Sequence, residues 1–299
     1  MSDTEKKIRI ITHSGTFHAD EILAVASLQL LLKDKNCEVI RTRDPNVILT
    51  GDYVVDVGSL YDPATNRFDH HQHGGAGERE NGIPYSAFGL VWKEYGEQIS
   101  GSKEVARAID VQIGYPVDMG DNGMDYYKLV RIDTEPLLLQ FMVAMFRPTW
   151  KNNVSADERF AELVELMKRM LQLAIKNEHD NIEGGKLVET AYQNTEDKRV
   201  VVLDGPYPWQ GTLAGHPEPL FVVKPKTQNT FWEVECVRDN PFGFANRKNL
   251  PEAWAGYRDQ ELAGITGVSD SVFCHNRRYI AVAESKEGAL KLAQLALNA

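Results

Sequence analysis

A chain of 299 residues, 42% hydrophobic and 25% charged, has the composition of an ordinary globular protein and room for two domains. Nothing in it approaches the roughly 18 uninterrupted apolar residues of a membrane span. The net charge of −10 argues against clamping of long nucleic-acid duplexes, which needs basic surface. Short phosphorylated substrates stay open, because bound metals reverse a local field.

The first residues, Met1-Ser-Asp-Thr-Glu-Lys-Lys7, are charged and run directly into Ile8–Thr12, which predicts a strand and neither a secretory signal nor a transit peptide. From Asp20 the apolar positions Ile22, Leu23, Val25, Ala26, Leu28, Leu30 and Leu31 predict a buried helix ending near Lys33–Asn36. Residues 37–42 and 53–57 predict the next strands, and Arg67–Asp69 a brief extended segment. Strand, helix, strand, strand at this spacing predicts an α/β fold with a mainly parallel sheet, whose ligands gather beyond the carboxyl ends of the strands.

Residues 74–82 are glycine-rich and predict a mobile loop, but they lack the lysine of a phosphate-binding P-loop. Helices are predicted over 85–95, 105–111, 125–146 and 156–175, with a turn around Asp121-Asn-Gly123. Past a loop at 177–185 come short predicted strands at 186–188, 199–203, 220–223, 231–237 and 279–282, then an amphipathic helix over 286–297. The expected division is therefore a metal-binding catalytic domain with a helical connection, residues 1–180, and a smaller α+β domain, residues 181–299, that binds substrate. Cys37, Cys236 and Cys274 are odd in number and form no C-x-x-C pair, which points to a reducing compartment and a cytoplasmic protein.

Five of the eight histidines lie between positions 13 and 73. Neutral imidazole beside carboxylate is a donor set that divalent transition metals prefer. His13, His18 and Asp20 fall where a strand turns into a helix, although Asp20 also suits a helix N-cap. Asp56 ends a strand, as either a turn residue or a ligand. Asp69-His70-His71 is the densest group. In extended backbone its two imidazoles would face opposite ways, leaving one for metal and the other for a substrate phosphate. Asp121 and Asp118 compete as the donor from the fourth segment. Together these segments would hold two divalent ions, Mn²⁺ in preference to Mg²⁺, at a spacing that suits displacement at phosphorus.

Thr12–Glu21, Asp56-Val-Gly58, Arg67-Phe-Asp-His-His-Gln72, Asp121-Asn-Gly123 and Phe273-Cys-His-Asn276 resemble the motifs of the melanocyte-proliferating-gene exonuclease family, within the DHH phosphoesterase superfamily. The resemblance covers nearly the whole chain. It implies two lobes, a manganese-type two-metal site and phosphodiester hydrolysis, with 3′→5′ exoribonuclease activity described for the eukaryotic branch. Carried over by position, it implies His13, His18, Asp20, Asp56, His70 and Asp121 as metal ligands, with Asp56, His70 and His71 as the catalytic group. His71 would face the substrate phosphate and Asp69 would orient its loop. His18 stands where the superfamily commonly has aspartate, and the second domain lacks the superfamily's Gly-Gly-Gly-His signature.

In the second domain, Arg247, His275 and Arg278, with aromatic Phe242 and Phe244 nearby, suit contacts to short single-stranded RNA. The expected function is a metal-dependent phosphodiester hydrolase, a 3′→5′ exonuclease on short RNA. Alternatives are a hydrolase of a small phosphate compound, such as pyrophosphate or a nucleotide, and a non-catalytic metal-binding regulatory protein. The expected partners are short RNA or another phosphodiester and no membrane, and a homodimer is compatible with the chain.

Overall fold

The computed structural model describes residues 7–299 apart from 34, 153, 228–229 and 241–242. It divides into two compact units, residues 1–178 and 179–299. Each unit is built on one five-stranded sheet. Among the described residues no helix is long and apolar enough to cross a membrane.

The first unit opens with β1 (Ile8–Thr12), α1 (Ala19–Leu32) and β2 (Cys37–Arg41), then the short α2 (Pro45–Ile48), β3 (Tyr53–Val55), β4 (Tyr61–Asp62) and β5 (Arg67–Phe68). The strand order is β2-β1-β3-β5-β4. Pairing is parallel from β2 through β5, and β4 joins antiparallel at the edge. Because β2 and β3 lie on opposite sides of β1, the chain changes direction across the sheet at β1. The crevice beyond its carboxyl end is where an open α/β sheet accepts ligands. Helix α1 is apolar almost all round, as a helix buried on every side must be, and Ile22 through Leu28 are fully buried.

The helices that follow are α3 (Ala87–Ser100), α4 (Lys103–Ile109), a π-helical turn over Asp110–Gly114, α5 (Tyr115–Asp121) and α6 (Leu139–Met145). The helix predicted over 125–146 forms only at its end, since residues 125–138 are not helical. Pro136 has no N–H to give and disfavours helix in the residue before it, and Thr134 N instead closes a turn onto the Arg131 carbonyl at 3.2 Å.

Helix α7 (Ala156–Asn194) runs unbroken through the predicted loop at 177–185 and the predicted strand at 186–188. The apolar signal there is helical in period: Val188 and Tyr192, four residues apart, are both buried against Val201, Leu203 and Trp209. Gly184 marks a close approach rather than a break, since a Cβ there would strike the Pro208 ring.

The second unit's sheet has the order β6-β7-β8-β10-β9, from β6 (Val200–Val202), β7 (Phe221–Pro225), β8 (Trp232–Cys236), β9 (Ser271–Cys274) and β10 (Ile280–Ala283). Its pairing is antiparallel except for β6 with β7. Two short helices, α8 (Gln210–Ala214) and α9 (Asp259–Thr266), lie between its strands in sequence. The terminal α10 (Lys286–Asn298) buries Ala289, Leu292, Ala293 and Ala296 against this sheet.

The glycine-rich loop at 74–82 is pinned by Arg79. The buried guanidinium stands 2.6 Å from Asp110 and 2.6 Å from Asp118, with its carbon 4.3 and 4.8 Å from the rings of Tyr85 and Tyr115. The Asp118 carboxylate also accepts from Ser86 Oγ at 2.5 Å and Gly89 N at 3.2 Å. A Cβ on Gly89 would occupy the space of that carboxylate. Removing one partner from a buried ionic group strands the others, so Arg79→Met is expected to lower unfolding free energy by about 3 kcal/mol. Arg79→Lys, which keeps the charge but not the planar fork, should recover only part of the loss. Denaturant unfolding of the three proteins checks this, and equal midpoints would refute it.

Candidate metal centre

The donor residues stand on the ends of strands and helices at the carboxyl edge of the first sheet. His13 follows β1 directly and is 3% exposed. His18 is the N-cap of α1, where its backbone N–H donates to both Glu21 carboxylate oxygens at 2.7 and 2.9 Å. Asp20 and Glu21 lie in the first turn and are fully buried. The N-cap position suggested for Asp20 therefore belongs to His18.

Asp56 follows β3 with a φ of 56°, a left-handed conformation that aspartate tolerates better than most side chains, and its N–H donates to Phe68 O at 3.0 Å. His70 and His71 come just after β5, and Asp121 is the last residue of α5.

These side chains meet at one place. His13 Nε2 is 3.2 Å from both Glu21 Oε1 and Asp56 Oδ2. His70 Nε2 is 3.3 Å from Asp56 Oδ1 and 3.1 Å from Asp121 Oδ2. Among the described residues, three donor groups each keep their ligand atoms within 4.8 Å of one another: His13, His18, Glu21 and Asp56; Asp56, His70 and His71; and His18, Asp20 and Asp121. Asp56 belongs to two of them, and so does His18. Of these, His13, His18, Asp56, His70, His71 and Asp121 line a cavity of about 770 Å³, as do Arg43, Asp69, Asn122, Gln140 and Arg147.

The polar atoms here are unsatisfied in a way that fits a cation. Both Asp20 carboxylate oxygens, Asp56 Oδ1 and His70 Nε2 are buried without a hydrogen bond. Burying such groups without a well-formed hydrogen bond is costly, and a cluster of them calls for a shared positive partner. Burial, with the neighbouring Asp56, Asp121 and Glu21 carboxylates, pushes Asp20 well above the usual carboxylate range.

Burial alone would lower the imidazole values, but Asp56 and Glu21 raise His13 to about 10, and Asp121 and Asp56 raise His70 to about 10. Burial opposes ionisation of Asp56, yet the two histidines hold it down at about 2. Without metal, protons on the imidazoles balance the carboxylates. The residues present fit a divalent cation held by mixed nitrogen and oxygen donors.

The imidazoles of His70 and His71 do not face opposite ways. Strand β5 ends at Phe68, the chain turns, and both rings approach Asp56 Oδ1, with their centroids 4.4 Å apart. What separates them is access, for the side chain of His70 is 9% exposed and that of His71 58%. Asp69 Oδ1 lies 2.7 Å from His71 Nδ1 and accepts from His71 N, while Asp69 Oδ2 accepts from Ser59 N.

Asp118 takes no part in the donor groups, being turned inward to Arg79, so Asp121 is the fourth segment's contributor. Glu21 was not among the expected donors. Its position three residues after a cap reads as helix capping, and only burial against His13 reveals a second contact.

The expected substrate trio of the second unit is split. Arg247 donates to the carbonyls of Ala214, His216 and Pro219, so its fork is committed to holding backbone. Arg278, at a φ of 58°, lies outside the local cavity, whereas His275 lines it. The arginines that do line it are Arg238 and Arg277. Phe244 is exposed there, and Phe242 lies outside the described residues.

The sequence model of an uncharacterised protein family, UPF0160, with the short name MYG1 exonuclease, matches residues 9–297. The MYG1 exonuclease of Mus musculus is 32% identical over 97% of this chain and 84% of its own length. That of Homo sapiens is 31% identical over 97% and 85%. The MYG1 protein C694.04c of Schizosaccharomyces pombe is 29% identical over 97% and 98%. The chain belongs to this family.

Two pH-dependent outcomes follow from the histidine values. Metal takes neutral imidazole, so binding of Mn²⁺ near neutral pH should release protons from His13 and His70. Calorimetry in buffers of different ionisation enthalpy measures this, and buffer-independent heats would contradict it. In metal-free protein both values are raised above the unfolded 6.5, so their stabilisation is complete below that pH and is lost as pH rises toward about 10. The melting temperature in chelator should fall across that window, and with metal bound this decline should shrink.

Proposed function

We propose that this member of the family is a metal-dependent phosphodiesterase, a 3′→5′ exonuclease acting on short RNA with two divalent cations, Mn²⁺ foremost. The observation that carries the reading is the convergence of carboxylates and imidazoles from four chain segments on one centre, where Asp20, Asp56 and His70 keep buried atoms without a hydrogen bond. The mouse and human relatives are named exonucleases, which supports the choice of reaction.

His13, His18, Glu21 and Asp56 would hold one cation. His70, 3.3 Å from Asp56 and 3.1 Å from Asp121, would hold the other with those two, and Asp20 faces His18 and Asp121. Cations bound there would activate a water and neutralise charge on the phosphoryl oxygens. Asp56 is the shared donor, and its left-handed backbone sets the carboxylate between His13 and His70. Glu21 fixes His18 through the backbone and His13 through the ring.

His71, like His18, is exposed at the centre. The Asp69 hydrogen bond raises its pKa, which favours the imidazolium form. With Nδ1 turned to Asp69, Nε2 is the atom left to bind a phosphoryl oxygen or protonate the leaving oxygen.

In the second unit a cavity of about 530 Å³ brings Arg238, Arg277, His275, Tyr279 and Phe244 together, with the His275 and Tyr279 rings 4.5 Å apart. Aromatic faces beside arginine suit unstacked bases and their phosphates. A second reading, hydrolysis of a small phosphate compound such as pyrophosphate or a nucleotide, is favoured by how many other cations of this unit are committed internally. Arg247 holds carbonyls, Lys224 pairs with Glu233 and Glu235, and Arg199 pairs with Asp197.

Metal-stripped, Mn²⁺-reloaded protein should shorten a 5′-labelled oligoribonucleotide stepwise. Asp56→Ala should reduce the rate at least about 100-fold, by loss of a shared metal donor. His71→Ala should lower turnover by roughly 10²–10⁴-fold while metal content stays unchanged. An intact oligonucleotide alongside phosphate release from pyrophosphate or a nucleotide would favour the second reading, and equal shortening by Asp56→Ala would sink the first.

A further inference from the structure

Two guanidiniums line the cavity of the first unit from positions that contribute no metal donor: Arg43, just beyond β2, and Arg147, just beyond α6. We propose that Arg43 and Arg147 form a two-arginine clamp that receives the phosphoryl oxygens of the substrate. The clamp rests on the phosphodiesterase reading for the nature of its ligand.

Charge favours such a partner. Asp20, Glu21, Asp56 and Asp121 place four negative charges in the donor groups, and two divalent cations would cancel them. Asp69 is paired with His71. The loaded centre then has little net charge, so cations beside it would add to the attraction for an anion.

Several neutral donors of the cavity wall are already engaged. Asn122 Nδ2 donates to Asp118 O at 2.8 Å, Gln140 Nε2 to Pro116 O at 3.0 Å, and Ser59 N to Asp69 at 2.6 Å. The two arginines are the guanidiniums on this wall.

Their anchoring suits the role. Arg147 donates Nε and Nη2 to Phe17 O at 2.9 and 2.7 Å. Arg43 donates Nε to Ser14 O at 3.2 Å, and its Nη2 stands 3.2 Å from His13 Nδ1. Each guanidinium therefore uses one side of its planar fork to grip the loop between His13 and His18. On both, Nη1 has no protein partner among the described residues. A guanidinium fixed along one side and open on the other can meet a phosphoryl oxygen with little loss of side-chain freedom. Lysine has no second side to offer.

Titration of Mn²⁺-loaded protein with inorganic phosphate by calorimetry tests the clamp without requiring turnover. Arg43→Gln and Arg147→Gln should each weaken phosphate about 10-fold or more, the scale of one charge-assisted hydrogen bond. The double variant should be weaker than either, and Arg→Lys should restore only part of the affinity. Mn²⁺ affinity and melting temperature are measured alongside, and the loss of phosphate affinity should exceed any loss of either, separating anion binding from support of the histidine loop. In the oligonucleotide assay KM should rise more than kcat falls.

Unchanged phosphate affinity in the double variant would overturn the clamp. So would absence of phosphate binding by the wild type, or a loss that only tracks Mn²⁺ affinity. Phosphate held through both arginines by a protein that leaves RNA intact would uphold the clamp and displace the RNA reading. RNA shortening with KM and phosphate affinity unaffected by either substitution would remove the clamp and leave the hydrolase.

Discussion

Mutual repulsion among buried carboxylates is the constraint around which the first unit is arranged. Ligand atoms of Asp20 and Asp121 lie within 4.8 Å of each other, and Asp56 is close enough to add to the rise in the Asp20 pKa. Two unit charges at that separation repel by about 3 kcal/mol at an effective dielectric constant near 20. A fold would not hold Asp20 buried beside Asp56 and Asp121 without compensation. Two imidazoles supply part of that compensation, their protons answering Asp56, Glu21 and Asp121. Asp20 is left out of it, with neither oxygen hydrogen-bonded. The residue hardest to explain as structure is thus the one that most needs a cation.

The backbone holds this arrangement through the sheet. Parallel strands β1, β3 and β5 end at one edge, so His13, Asp56 and His70 leave the sheet side by side although far apart in sequence. The left-handed turn at Asp56 is held by its N–H to Phe68 O, the same link that joins β3 to the segment carrying the histidines. Local strain at Asp56 and the position of His70 therefore depend on one hydrogen bond, as expected where a functional geometry is maintained by its surroundings. Behind the sheet, Arg79 and Asp118 fix the helix that ends in Asp121, so the fourth donor segment is set from its buried side.

Much of this could be read from sequence because the signal was local. Strands β1, β2 and β3 and the buried helix α1 appear as short apolar runs, and the histidine density marks the centre. Features decided by distant contacts could not be read. Glu21 has the spacing of a capping residue, and nothing local shows that its carboxylate also reaches His13. Asp118 and Asp121 sit one helical turn apart in one helix, and the partner that claims Asp118 lies 39 positions earlier at Arg79. The helix expected from 125 fails because turn chemistry and Pro136 outweigh an apolar pattern. The strand expected at 186–188 fails because α7 continues through two glycines whose lack of side chains admits Pro208 and Thr212.

The same contrast separates the two sets of arginines. Arg247 looked suited to substrate because it follows an aromatic stretch, but three carbonyls occupy it. Arg43 and Arg147 stand outside every histidine motif, and one strand end and one helix end bring them to the cavity. A guanidinium can brace a loop and bind an anion together only when its two sides face different partners, which is a property of position and not of residue type. In the first unit the carbonyls of Ser14 and Phe17 take one side of each fork and leave the other open. Two of the metal donors, His13 and His18, and both anion receivers are thereby tied to a single loop, residues 13–18, and a displacement of that loop would disturb both sets at once.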